Sequence, residues 1–296
     1  MKNKETDMSE LTGICVALCT AMNDDGTALA PDRMKKHIDT MLEAGVHIVA
    51  MCGGTGEFPF LSTEEKREIT ELAARHIDGR ARLIVQTSAI RTEDAVEAAR
   101  HAEGVGADAL LVLPPYFEGP TADGVYSHYE KIGEKVRVPI MAYNVPVHSG
   151  FDITPEFFKR LQQIDNVQYI KDTSGNFVRV QELLVSGAKV FNGSDPFAFH
   201  ALIAGAQGCF WGAANVMPRQ AVELYRLVQE GNASEAIALW KQMLPANLFF
   251  WNHPYNPSIK AATNLLVNTV GACRQPVQPL SEAELEGLKA ALEPLR

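Results

Sequence analysis

An eightfold alternation constrains this chain more than any other feature: a short run rich in Val, Ile and Leu, then a longer amphipathic segment, repeated along most of its length. The apolar runs occupy 13–20, 47–53, 82–88, 107–114, 138–145, 167–173, 189–195 and 208–214. Between them the apolar spacing is helical, with Met34, Ile38, Met41 and Leu42 at i, i+4, i+7 and i+8 and Ile69, Leu72 and Ala73 on one face. Helix starts are marked too. Ser62 with Glu65 three residues on predicts a capping box, and Thr154 before Pro155 predicts an N-cap followed by proline at the first helical position.

Strands that each lead into a helix define an α/β chain, and eight of them point to a closed (β/α)8 barrel, the TIM barrel. An open doubly wound sheet shares the local pattern and differs only in closure. The count of eight and the lack of a dinucleotide fingerprint favour the barrel, which 296 residues suffice to build. Past about Gln229 the strand signal stops, and 232–251, 257–270 and 281–292 read as helices. The expected organisation is a barrel over 1–230 and a C-terminal helical appendage over 231–296. No Gly/Ser linker separates the two, so the appendage is expected to pack on the barrel.

Charge and cysteine content exclude several classes. Twenty-seven basic against thirty-six acidic residues give a net charge of −9, without a Lys/Arg cluster, so nucleic acid is not an expected partner. Five cysteines, at 15, 19, 52, 209 and 273, sit in apolar stretches without CxxC spacing and read as reduced core residues, which suits the cytoplasm. Residues 1–10 are polar and no run of about 18 apolar residues occurs, so neither export nor a membrane span is expected.

In a (β/α)8 barrel the site lies where strands end and βα loops begin. Three ends stand out. The sixth run reads Val-Gln-Tyr-Ile-Lys-Asp-Thr, with Lys171 at a buried strand end where desolvation disfavours its charge and a neutral amine is a nucleophile. A lysine reaching solvent, or paired with Asp172, is the competing reading. The fifth run carries Tyr143, whose phenol can shuttle a proton or merely pack. The second run ends in Cys-Gly-Gly-Thr-Gly-Glu (52–57), a turn able to offer backbone N–H groups to a carboxylate or phosphate, or only to reverse the chain. Pro59 falls where a third glycine would complete GxGxxG, and no GK[ST] follows.

Taken together, GTGE after strand two, YNxP after strand five and KD[TS] after strand six resemble the dihydrodipicolinate synthase and N-acetylneuraminate lyase family. The resemblance runs from Gly13 to about Leu280 and includes Leu113-Pro114-Pro115-Tyr116, Gly193-Ser194-Asp195 and Asn256-Pro257 with Lys260. It implies a usually tetrameric barrel that needs neither cofactor nor metal. It implies Lys171 as the Schiff-base lysine for the ketone of pyruvate or another 2-keto acid, and Tyr143 as proton shuttle. The carboxylate clamp would be Thr55 with the Gly56 amide, beside Gly54.

The chain departs from the synthase branch at three places. Gly54 stands where a hydroxyl residue relays protons, Phe117 where a tyrosine crosses the subunit interface, and His148 where an arginine holds the aldehyde's carboxylate. His148 as a loop residue without a role is weighed equally. Thr173 and Asp195 match positions that contact sugar-chain hydroxyls in the lyase branch, although Pro196 replaces the acidic residue that follows there. The GGTGEF loop with Pro-Pro-Tyr is similar to the branch acting on 2-keto-3-deoxy sugar acids, and GEFPFL to 4-hydroxy-2-oxoglutarate aldolases. The expected function is therefore a Schiff-base lyase, an aldolase or dehydratase, acting on a small hydroxylated 2-keto acid. The alternatives are dihydrodipicolinate synthase, which joins pyruvate to aspartate semialdehyde, and a non-catalytic 2-keto acid sensor.

Overall fold

The computed structural model describes residues 10–296. The polar stretch at 1–9, part of the expectation about export, lies outside them. All eight apolar runs contain strands: β1 Gly13–Ala17, β2 Ile48–Met51, β3 Arg82–Gln86, β4 Ala109–Val112, β5 Ile140–Asn144, β6 Val167–Asp172, β7 Lys189–Asn192 and β8 Gly208–Trp211. Each pairs in parallel with the next and β1 pairs with β8, so the sheet closes and the open alternative is excluded.

The intervening helices are α1 Pro31–Glu43, α2 Thr63–Ile77, α3 Thr92–Gly104, α4 Ala122–Gly133, α5 Pro146–Ser149, α6 Pro155–Leu161, α7 Phe177–Val185, α8 Ala198–Ile203 and α9 Pro218–Gln229. The predicted caps form. The Glu65 N–H donates to Ser62 Oγ at 3.2 Å while the Ser62 N–H donates to Glu65 Oε2 at 2.9 Å, and the Phe157 N–H donates to Thr154 Oγ1 at 3.2 Å.

Register decides which side chains fill the barrel. Cα partners in a parallel ladder share a face, and strand tilt advances each level by about one residue per strand. From the pairs Cys15↔Ile48, Ala50↔Ile84, Leu111↔Met141, Tyr143↔Lys171 and Lys171↔Phe191, one layer comprises Ala17, Gln86, Tyr143 and Gly193 from the odd strands. Ala50, Leu111, Lys171 and Phe210 from the even strands form the layer beneath. The inner end is closed by Tyr169, whose hydroxyl accepts the Leu11 N–H at 3.0 Å.

Three further helices follow, α10 Ala233–Asn252, α11 Tyr255–Leu266 and α12 Glu282–Leu292. α10 packs on α9 and on the 3-10 turn after β7, and α11 on the 3-10 turn after β8. The predicted helix over 257–270 is corrected at both ends. Asn264 Oδ1 takes the Val270 N–H at 2.7 Å and its amide donates to the Gly271 carbonyl at 3.1 Å, so local side-chain bonds replace helical ones after Leu266. The chain then turns back so that the Val270 carbonyl accepts the Met22 N–H at 2.9 Å. Among the described residues no helix is long and apolar enough to cross a membrane.

Candidate active site

Lys171 is 5% exposed, and its nitrogen lies 3.9 Å from the Tyr143 ring centroid and 4.2 Å from that of Phe210. It neither reaches solvent nor pairs with Asp172. Strand alternation turns Asp172 to the other face, where its oxygens accept from Asn144 Nδ2 at 2.8 Å and Ser174 Oγ at 2.6 Å. Two aromatic faces therefore enclose the amine. Gly193 makes this possible by size: a Cβ there would lie 2.8 Å from Lys171 Cε and run into Thr173 Oγ1. That Thr173 oxygen is buried without a hydrogen-bond partner among the described residues.

The loop after β2 is held from several sides. Cys52 and Glu57 take left-handed backbone angles, φ 56° and 60°, which double the chain back at both ends of the turn. Thr20 Oγ1 donates to the Gly56 carbonyl at 2.7 Å and Asn256 Nδ2 to the Gly54 carbonyl at 3.0 Å. The N–H groups of Gly54, Thr55 and Gly56 have no acceptor among the described residues, which leaves a nest suited to an anion. Behind the loop, Glu57 is fully buried. Its Oε1 pairs with Lys260 Nζ at 2.6 Å and its Oε2 accepts the Arg274 N–H at 2.7 Å, while Lys260 also donates to the Ala272 carbonyl at 2.6 Å. Lys260 is thus a second buried lysine, which its helical setting in the sequence did not reveal; its nitrogen is committed to Glu57.

Tyr143 is 8% exposed, with its hydroxyl 3.8 Å from where a Cβ on Gly54 would stand, so a hydroxyl residue at 54 would face the phenol. Across the mouth, Asp195 is buried and takes the Tyr255 hydroxyl at 3.0 and 2.9 Å on its two oxygens. Burial lifts the Asp195 carboxyl to about 7, against the pull of the Tyr255 hydrogen bond and the Lys171 charge. Burial, followed by the Asp195 charge, drives the Tyr255 phenol well above its usual value. A Cβ on Gly212 would run into Tyr255 Oη and lie 2.8 Å from Thr55 Oγ1, so this glycine sits between the acidic pair and the loop.

The structure thus brings together Lys171, Tyr143, Gly54, Thr55, Gly56, Thr173 and Asp195. It leaves His148 exposed on α5 and Phe117 68% exposed after β4. Sequence reasoning missed Tyr255, which directly precedes the Asn256-Pro257 motif, and Gln86, a polar residue ending an apolar run just as Lys171 does.

The sequence pattern of the Dihydrodipicolinate synthetase family matches residues 10–295. The chain belongs to this family. The 4-hydroxy-tetrahydrodipicolinate synthase of Methylibium petroleiphilum is 33% identical over 279 residues, covering 93% of this chain and 95% of its own. That of Kosmotoga olearia is 34% identical over 276 residues, covering 90% and 93%. Among solved structures, a putative dihydrodipicolinate synthetase from Pseudomonas aeruginosa superimposes with a TM-score of 0.93 at 33% identity, covering 97% of this chain and all of that one. YagE, a prophage protein of the same family from E. coli K12 solved with pyruvate, gives 0.92 at 28% identity, covering 96% and 98%. The protein is accordingly a class I, Schiff-base lyase of the dihydrodipicolinate synthetase family.

Proposed function

We propose that this lyase forms an iminium between Lys171 Nζ and the ketone of a small hydroxylated 2-keto acid, then cleaves or dehydrates it. A 2-keto-3-deoxy sugar acid and 4-hydroxy-2-oxoglutarate are the representative substrates, with pyruvate a frequent product. The observation that carries the reading is the buried Lys171 amine between the Tyr143 and Phe210 rings. The amine adds to the ketone and the carbinolamine loses water; the iminium then accepts the electron pair of a neighbouring C–H or C–C bond to give an enamine. Tyr143 carries protons in these steps. The Thr55 hydroxyl and the N–H groups at 54–56 take the substrate carboxylate, fixing the carbon that faces Lys171. Asp195 and Thr173 face the hydroxylated tail.

The printed names of the curated relatives favour a second reading, condensation of pyruvate with aspartate semialdehyde. Three departures weigh against it. Gly54 has no hydroxyl to offer Tyr143, Phe117 has no phenol, and His148 replaces an arginine. Losing a bidentate carboxylate contact handicaps that substrate by roughly 30- to 1000-fold. The sensor reading is weakened by the joint presence of Lys171 and Tyr143. The same reading includes a cytoplasmic setting, to which the five buried free cysteines lend support, and a homotetramer; a structural relative is described as a monomeric variant, so sedimentation is the check.

Borohydride reduction in the presence of pyruvate or a longer 2-keto acid is expected to add one adduct per chain, mapped to Lys171 and absent in Lys171→Ala. An adduct on Lys260 or any other lysine overturns the assignment. Dihydrodipicolinate formation at ordinary synthase rates, with hydroxylated 2-keto acids ignored, favours the second reading.

A further inference from the structure

Gln86 ends β3, is 5% exposed, and neither its Oε1 nor its Nε2 has a hydrogen-bond partner among the described residues. A buried amide left wholly unpaired is rare in a packed interior and calls for an explanation. Its place supplies one. The register puts Gln86 in the layer of Ala17, Tyr143 and Gly193, directly above the layer of Lys171. Its Oε1 lies 3.9 Å from where a Cβ on Gly53 would stand, beside the loop whose N–H groups lack acceptors. Two members of this layer, Ala17 and Gly193, are too small to fill it, and the other two are polar. Such a layer faces a polar ligand.

The chemistry of the amide narrows the ligand further. A carboxamide offers two N–H donors and one acceptor oxygen side by side. A carboxylate can use only the donors and is repelled by Oε1, whereas a hydroxyl accepts from Nε2 and donates to Oε1. The substrate carboxylate also has a better berth in the N–H nest of the neighbouring loop.

We infer that Gln86 is a specificity-determining residue that reads a hydroxyl on the substrate's carbon chain beyond the keto carbon. The inference rests on the Schiff-base reading at Lys171 and deepens it. Gln86 supplies no proton of its own, since an amide does not titrate in the working range. It fixes which hydroxylated tail can lie across the barrel mouth while Lys171 holds the keto carbon.

The test is borohydride trapping, read by intact mass, with three ketones: pyruvate, 2-oxobutyrate and 4-hydroxy-2-oxobutyrate. Half-saturating concentrations are compared in the intact wild-type protein and in Gln86→Leu, with Gln86→Met as a second variant of similar volume in case the first fails to fold. Wild type is expected to reach half-saturation with the hydroxylated acid at roughly a 10- to 100-fold lower concentration than with 2-oxobutyrate, the range for leaving one buried hydrogen-bonding group unpaired. The variants are expected to lose that preference, the hydroxylated acid weakening by roughly tenfold or more relative to pyruvate. Retention of the preference overturns the inference, because the hydroxyl is then read elsewhere. Equal weakening of pyruvate overturns it as well, because the amide then serves the shared carboxylate. Failure of wild type to trap any ketone on Lys171 overturns the Schiff-base reading itself, a result distinct from both.

Discussion

Replacing Gly193 by alanine tests how closely the position of Lys171 depends on one missing methyl group. The added carbon would lie 2.8 Å from Lys171 Cε and 3.2 Å from the Asp172 carbonyl oxygen, and would run into Thr173 Oγ1. Carbon atoms pack best at about 3.5–4.0 Å, so the lysine stem must retreat by roughly 1 Å or β7 must move outward. Lys171 has little room to retreat, because Tyr143 and Phe210 close on its nitrogen at 3.9 and 4.2 Å from their ring centroids. Overpacking of this kind costs about 1–3 kcal/mol, a fall in Tm of roughly 2–12 °C for a chain of this size. The effect on chemistry is larger. A misplacement of about 1 Å at a reacting group costs on the order of 100-fold in rate. The assay is the rate of pyruvate adduct formation beside a thermal melt, with Gly104→Ala as control, since a Cβ there meets nothing within 4 Å. Gly193→Ala trapping pyruvate at the wild-type rate refutes the claim that this glycine seats the lysine.

Breaking the buried Glu57–Lys260 pair by Glu57→Ala or Lys260→Ala is expected to destabilise the fold by about 3–5 kcal/mol, and the double variant by less than the sum; denaturant unfolding of the four proteins checks it, and additive losses count against a coupled pair. Asp195, lifted by burial to about 7, binds a proton in the native state that the unfolded chain releases near pH 4, so its contribution to stability is complete below about pH 4 and is lost as pH rises through 7, up to about 4 kcal/mol. Asn at 195 is neutral throughout, so the melting temperature of Asp195→Asn relative to wild type is expected to climb between pH 5 and 8, and parallel curves refute it. Turnover that proceeds through an iminium is expected to survive dialysis against EDTA; loss of activity restored by a divalent ion would indicate a metal-dependent lyase. Truncation after residue 230 is expected to yield an unfolded or aggregated barrel, because it removes Lys260 from beneath the fully buried Glu57; a soluble, folded fragment by circular dichroism would show that residues 1–230 fold alone.

Much of the barrel is local information. Each strand lies inside an apolar run, and the caps at Ser62 and Thr154 need only residues three or four apart. Lys171 is legible for the same reason, since a charge within an apolar run conflicts with its surroundings wherever the strand is placed. Gln86 carries the same kind of conflict in milder form, and an uncharged amide at a strand end is easily taken for a rim residue. His148 is matched to an arginine by motif position alone, and its exposure on α5 is a property that motif position does not carry.

The remainder was decided by closure and tilt of the sheet. Which residues share a layer follows from the register of eight strand pairs accumulated around the barrel, and no single run contains it. The pairing of Glu57 with Lys260, the bond from Tyr255 to Asp195 and the bond from Asn256 to Gly54 join residues separated by 203, 60 and 202 positions. Each exists because α11 folds back over the barrel mouth, and the periodicity of α11 shows only that one face is apolar. Gly193 and Gly212 lie in two of the apolar runs, where no local pattern shows what they must make room for. Their necessity is steric, set by the side chains of Lys171, Thr173, Tyr255 and Thr55 that other segments bring against them. Sequence determined the strands, the helices and the lysine proposed as nucleophile, because propensity, capping and burial act over a few residues; the surroundings of Lys171 waited on tertiary structure, because contact between distant segments depends on how the whole sheet closes.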